Sequence, residues 1–187
     1  TRDADLSGGV VTAGGQVWNV TRRLTVADMT FLTTSDDHEI ILGGRIRFLT
    51  PGAQFTVNGS AQLHDQSVRG GDLVLTGSPT TMNGTFIESL QFSGELIGHA
   101  VELEDVQVAG RFRPTVVGPG EVAISVERLA ASSAEIYIQV RSQEEYSRIF
   151  LDAVAPMATI TLDVAVDDLE NLRRSQLLFP IISGGFP

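Results

Sequence analysis

The stretch from Phe55 to Phe92, FTVNGSAQLHDQSVRGGDLVLTGSPTTMNGTFIESLQF, alternates apolar and polar residues, breaks at glycines and carries few side chains able to do chemistry. Its start is the most legible part. From Gln54 to His64, Phe55, Val57, Ala61 and Leu63 fall on one side of an extended chain, with Gln54, Thr56, Asn58, Ser60 and Gln62 on the other. Successive side chains of a strand point to opposite faces, so this reads as a strand with one buried and one wet face. The same period recurs at Trp18, Val20, Leu24 and Val26, at Ile40, Leu42, Ile46 and Phe48, at Ile97, Val101 and Leu103, and at Val106, Val108 and Phe112. It returns at Val122, Ile124 and Val126, at Ile136, Ile138 and Val140, and at Ile160, Leu162, Val164 and Val166.

Between these runs lie Gly8-Gly9, Gly14-Gly15, Pro51-Gly52, Gly70-Gly71, Ser78-Pro79, Asn83-Gly84 and Gly118-Pro119-Gly120. These are turn residues, and Asn-Gly in particular signals a tight hairpin. Crossover helices for a parallel α/β sheet are missing. The expected fold is therefore all-β: one domain over 1–187 built as a jelly-roll β-sandwich or barrel of about eight core strands. A β-solenoid is the runner-up, because Gly71 to Gly110 resembles the polymer-forming bactofilin repeats. Solenoids need a fixed period, and glycines at 77, 84, 94, 98 and 110 do not supply one.

Two short helices are expected near the C-terminus. Ser142-Gln143-Glu144-Glu145 has capping-box spacing, Tyr146, Ile149, Phe150 and Val154 form a helical stripe, and Pro156 ends it. The second opens at Asp167-Asp168 and carries Arg173 and Arg174 towards its end, as the helix dipole favours.

Composition narrows the function. The chain has 187 residues, no cysteine, and 13 basic against 23 acidic residues, a formal charge of −10. Disulfides and thiolate chemistry are excluded, and the charge opposes nucleic acid or anionic lipid as a partner. The opening TRDADLSGG has neither the basic nor the apolar region of a secretory signal, so none is expected there. Every basic residue is arginine, as a GC-rich genome or a high-salt setting would produce.

Nothing in the sequence marks an enzyme. His38, His64 and His99 have no ligand spacing, and no nucleophile elbow, phosphate loop or dinucleotide fingerprint occurs. His64 falls on the polar side of its strand and His99 on the apolar side. Ser35-Asp36-Asp37-His38-Glu39 is the one oxygen-rich turn, and it lacks the alternating ligands and permissive glycine of a calcium loop. Glu88, Glu102 and Glu104 would form a glycosidase-like pair only if the fold set them across a cleft. No catalytic residue, metal site or cofactor is expected.

Asn19, Asn58 and Asn83 sit in N-x-S/T acceptor sequences, which fits an exterior protein. Residues 177–187, LLFPIISGGFP, are apolar, uncharged and proline-broken, an aggregation hazard unless docked. Phe179, Pro180, Ile181, Ile182 and Phe186 are its candidate contacts, on this domain or on another copy.

Size, lysine-free acidic composition, a strand-rich body from Val17 to Val140 and the ending FPIISGGFP together resemble the smaller single-jelly-roll major capsid protein of haloarchaeal icosahedral viruses with an internal membrane. The resemblance implies a virion capsid subunit that contacts copies of itself and a related capsid protein, lies near a membrane without embedding, and needs no cofactor. The alternatives are a carbohydrate-binding module of a cell or virion surface and a β-solenoid polymer-forming protein.

Overall fold

In the computed structural model the run from Gln54 to His64 is two strands that meet at Gly59, and both point the expected residues inward. Phe55, Val57, Ala61 and Leu63 are each at most 1 % exposed. The structure describes residues 3–13, 18–20, 23–34, 39–42, 45–50, 53–76, 79–118, 120–142, 145–155, 159–167 and 182–183.

The strands follow one path repeated. β1 (Asp3–Ala13) and β2 (Trp18–Val20) make a first coil, on which β3 (Arg23–Thr34) and β4 (Glu39–Leu42) lie in parallel register. β5 (Arg45–Phe48), β6 (Gln54–Asn58) and β7 (Ser60–His64) form the third coil; β8 (Ser67–Val68), β9 (Asp72–Leu75) and β10 (Thr80–Asn83) form the fourth. β11 (Phe86–His99) travels a whole coil in one strand, pairing in turn with β8, β9 and β10. β12 (Val101–Pro114) and β14 (Ile124–Val140) repeat that circuit, β16 (Ile149–Val154) and β17 (Ile160–Val166) complete an eighth, and β18 (Ile182–Ser183) starts a ninth.

This is a three-sided parallel β-solenoid, which corrects the jelly roll. Period-two alternation is identical in parallel and antiparallel strands, so the pattern alone could not choose between them. Asn58-Gly59 and Asn83-Gly84 are corners between faces, not hairpins. Among the described residues the only antiparallel pairings are those of β15 (Tyr146–Ser147) with β13 (Val116–Val117) and with the end of β14, where two excursions from the third face meet. The repeat was hidden because its length drifts. Successive coils are offset by 20 residues at Asp3/Arg23, 25 at Met29/Gln54, 16 from Phe86/Glu102 to Gly98/Pro114, and 26 at Ala134/Ile160.

Stacking in register turns the inward residues of each face into ladders. Ile46, Val68, Ile87, Leu103, Val126 and Leu151 form one on the first face; Phe55, Leu73, Leu90, Val106 and Leu129 form one on the second. On the third face Ile40, Ala61, Thr80, Leu96, Phe112 and Ile136 do the same. Each fully buried Val, Leu, Ile or Phe of these ladders contributes about 1.5–3 kcal/mol. Phe92 and Phe112 cross the core edge to face, 4.9 Å apart.

Corners obey the same register. Asp65, Gly84 and Ala100 stack at the turn from third to first face, all left-handed, with φ of 51°, 59° and 51°. Asp65 N–H donates to Asn83 O at 2.9 Å and Gly84 N–H to His99 O at 3.1 Å. Just beyond, buried Gln66 donates from Nε2 to Leu42 O (2.9 Å) and His64 O (3.0 Å). Ala100 also explains a second correction: the left-handed turn resets the alternation, so Ile97 and His99 face outward while Leu96 and Val101 are buried.

The expected helix after Ser142 is a strand. Its local signal is real, since Glu145 N–H donates to Ser142 Oγ at 3.0 Å, but that bond closes a tight turn. Ile149 and Leu151 then extend the ladder of Ile124 and Val126, and burial against those residues outweighs helix propensity. All but the first residue of the second expected helix lies outside the described residues. Val122, expected inside, is 41 % exposed.

Gly94 and Gly110 stack where the second face turns into the third, and a Cβ on Gly110 would stand 2.3 Å from Gly94 O. Gly110→Ala is expected to destabilise by about 1–3 kcal/mol in chemical denaturation, because backbone must move. Ala100→Gly is expected to act oppositely, adding up to about 1 kcal/mol by relieving a left-handed alanine.

Candidate functional site: an open end and a charge-segregated face

A solenoid buries each coil under the next, so its last coil is where burial stops. β17 continues the third-face ladders: Leu162 stands in register with Ile136 and Val164 with Ile138. Ile136 and Ile138 are 0 % exposed, whereas Leu162 and Val164 are 50 % and 47 % exposed. Among the described residues β17 pairs only with β14, and none of them bonds its other backbone edge. At the opposite end β2, among the described residues, pairs only with β4, with Trp18 and Val20 at the register positions of Ile40 and Leu42.

From the second coil onward the outward residues of the first face are largely sorted by charge, while Asp3 and Asp5 of the first coil stand in register with Arg23 and Thr25. Arg45 and Arg47 of β5 are exposed, Arg47 bridges to Arg69 one coil on, and Arg23 precedes Arg45 in the same column. From the fifth coil onward the sign reverses. Register brackets Glu88 over Glu104, Glu104 over Glu127 and Glu127 over Asp152, with Glu102 beside Glu104. Coils are about 4.8 Å apart, so these carboxylates form a like-charge ladder.

The third face is built the other way. Arg111 binds Glu135 at 2.7 Å and Arg113 approaches Glu95 at 3.9 Å, so cations and carboxylates interleave there. Glu135 beside Arg111 holds that guanidinium above its ordinary pKa. At the edge of the first face Arg128 grips Asp105 with two nitrogens and reaches Glu127 at 2.6 Å. The hydrogen bond from Arg128 holds the Asp105 carboxyl below its usual range despite some desolvation. That pair is exposed and screened, so its contribution is small, present at neutral pH and lost as pH falls through the acid range.

A shallow groove of about 590 Å³ crosses the second face, with Gln91 stacked on Gln107 beside Val74, Phe92, Val108 and Ala130. None of its lining residues is titratable, so the groove can hold a ligand but has no acid or base. Glu88, Glu102 and Glu104 are neighbours on a flat face and line none of the described grooves. Among the described residues no group of three His, Asp or Glu is placed to hold a metal ion.

The other expected residues are scattered. Asn58 and Asn83 are exposed at corners, and Asn19 is in β2. His64 and His99 point outward, bonded to Gln62 Oε1 and Thr115 Oγ1 at 3.0 Å each. His38, Asp36 and Asp37 lie outside the described residues, and Glu39 opens β4. Of the tail residues, Ile182 pairs with Ile149 on the first face of the same chain; Phe179, Pro180, Ile181 and Phe186 lie outside the described residues. Sequence reading missed both the charge sorting and the open end. The signal for the first was present in the order of Arg45, Arg47 and Arg69 before Glu88, Glu102 and Glu104, but it needs the register to become a face.

The open end sets up a contrast within one ladder. Ile136→Arg is expected to destabilise by more than about 3 kcal/mol, as an unpaired charge in the core. Leu162→Arg, one coil on, is expected to stay within about 0.5 kcal/mol of wild type in the same denaturation measurement.

Comparison with protein-family models, curated proteins and solved structures finds no match to this chain.

Proposed function

We propose that this chain is a structural self-assembly protein whose copies stack end to end through the terminal coils. The observation that carries the reading is the exposed ladder of Leu162 and Val164 on a strand whose other edge no described residue pairs. A second copy is the occupant that fits it in kind, because β2 of that copy brings Trp18 and Val20 at the register positions of Ile40 and Leu42. Stacking would continue a parallel hydrogen-bond ladder and bury two half-exposed aliphatic side chains, together worth about 2 kcal/mol. Backbone pairing supplies the remainder, as in other strand-addition contacts.

End contacts of this kind join two different surfaces, so they repeat into open filaments and do not close. The expectation of an icosahedral capsid subunit, working with a related capsid protein, leaned on a jelly-roll tile. Without that tile it rests on composition and the apolar ending. In either form the role assigned is assembly, with no catalysis and no cofactor, and exposed Asn58 and Asn83 are compatible with glycosylation at an exterior surface.

Negative-stain microscopy with light scattering tests the reading. Wild type is expected to form unbranched filaments, and Leu162→Arg/Val164→Arg to remain folded by circular dichroism without elongating. Closed shells would favour the capsid role. A chain truncated after Gln176 that elongates only once shortened would instead mean that residues 177–187 obstruct the end. Elongation by the double arginine variant would remove β17 from the account.

A further inference from the structure

We infer that the first face is a self-recognition surface, which pairs two copies side by side with their solenoid axes antiparallel. This surface is separate from the ends, so the inference does not rest on end stacking.

The argument begins with what the ladder costs. Stacking Arg47 on Arg69, and Glu88, Glu104, Glu127 and Asp152 in a row, places like charges in adjacent strands, which is destabilising. The same chain interleaves its charges on the third face, so segregation is not forced by the fold. Among the described residues Arg45, Arg47, Glu102, Glu104 and Asp152 have no ion-pair partner, and Arg69 lies 4.1 Å over the Phe86 ring. Coils two to four of the face carry arginines and coils five to eight mostly carboxylates, the division falling near Phe86; Asp3 and Asp5 in the first coil and Arg128, bound to Glu127, are the exceptions.

A two-fold axis lying along the strands at that coil keeps each column facing itself, reverses the order of coils, and leaves one like-charge meeting, Glu88 against Glu88 at the axis. Arg47 then meets Glu127 of the second copy, and Arg69 meets Glu104, each twice by symmetry. Parallel axes would set arginines on arginines and carboxylates on carboxylates. The overall charge of −10 repels any second copy except in a pose that brings unlike charges close. The second copy thus fits by charge, and only in one sense.

Exposed ion pairs are individually weak and fade as salt shortens the screening length from about 10 Å at 0.1 M to about 3 Å at 1 M. Analytical ultracentrifugation of the end-blocked Leu162→Arg/Val164→Arg chain, the background for the variants below, is expected to show a monomer–dimer equilibrium at low salt that dissociates at high salt. Arg47→Glu/Arg69→Glu should weaken the dimer at least about tenfold, with circular dichroism unchanged. Adding Glu104→Arg/Glu127→Arg to it should restore the dimer, because both halves have then changed sign. The inference is overturned by an end-blocked chain that is monomeric at all salt concentrations, by a dimer indifferent to salt, or by a four-fold variant that does not recover. Filaments that persist while the dimer fails would leave end stacking standing and remove only this pairing.

Discussion

The parallel hydrogen-bond ladder governs everything else in this molecule. Because each coil bonds to the coil before and after it, a residue's neighbour on the adjacent strand is chosen by register and not by sequence proximity. Interior positions must therefore repeat as apolar, and they do so with compensating sizes: small Ala61 and Thr80 stand between Ile40 and Leu96 in one ladder. Corners must repeat as well, which is why a left-handed Asp65 and a left-handed Ala100 are tolerated on either side of Gly84. A left-handed alanine is unfavourable by about 1–2 kcal/mol taken alone, and three stacked turns that share hydrogen bonds hold it in place.

The ladder also explains where the chain departs from regularity. Through β11 and β12 the coil is at its shortest, 16 residues, and glycines 94 and 110 allow the backbone to close that tightly. The sixth and seventh coils then insert extra chain at the third-to-first corner. Those insertions fold on each other as β13 and β15, pinned by fully buried Ser147, whose hydroxyl donates to Pro114 O at 2.8 Å. An inserted loop of this kind leaves the underlying register intact, since Ile124 still stacks on Val101 and Ile149 on Ile124.

Burial was legible and topology was not. Phe55, Val57, Ala61 and Leu63 could be assigned to the core because a period of two follows from backbone geometry. Strand direction leaves no such trace, and the cues used for it, Asn58-Gly59 and Asn83-Gly84, have two meanings: a left-handed or otherwise positive φ is needed at a hairpin turn and at a solenoid corner alike. The stripe Tyr146, Ile149, Phe150 and Val154 failed for a related reason. Ile149 and Leu151 satisfy a strand period as well as the others satisfy a helical one, and the choice was made by Ile124 and Val126, more than twenty residues away in sequence and adjacent in space.

Charge is where the ladder ceases to dictate and begins to record another demand. Outward positions are free to take either sign, and on the third face they alternate so that Arg111 and Arg113 find Glu135 and Glu95. On the first face the same freedom ends in two like-charge blocks. Folding alone gains nothing from that arrangement, since interchanging Arg69 and Glu104 would give their shared column local ion pairs with no change in the core. A surface that is less favourable than its neighbour within one copy becomes favourable only when a second field of opposite order lies against it. The field with that order is the same face, reversed.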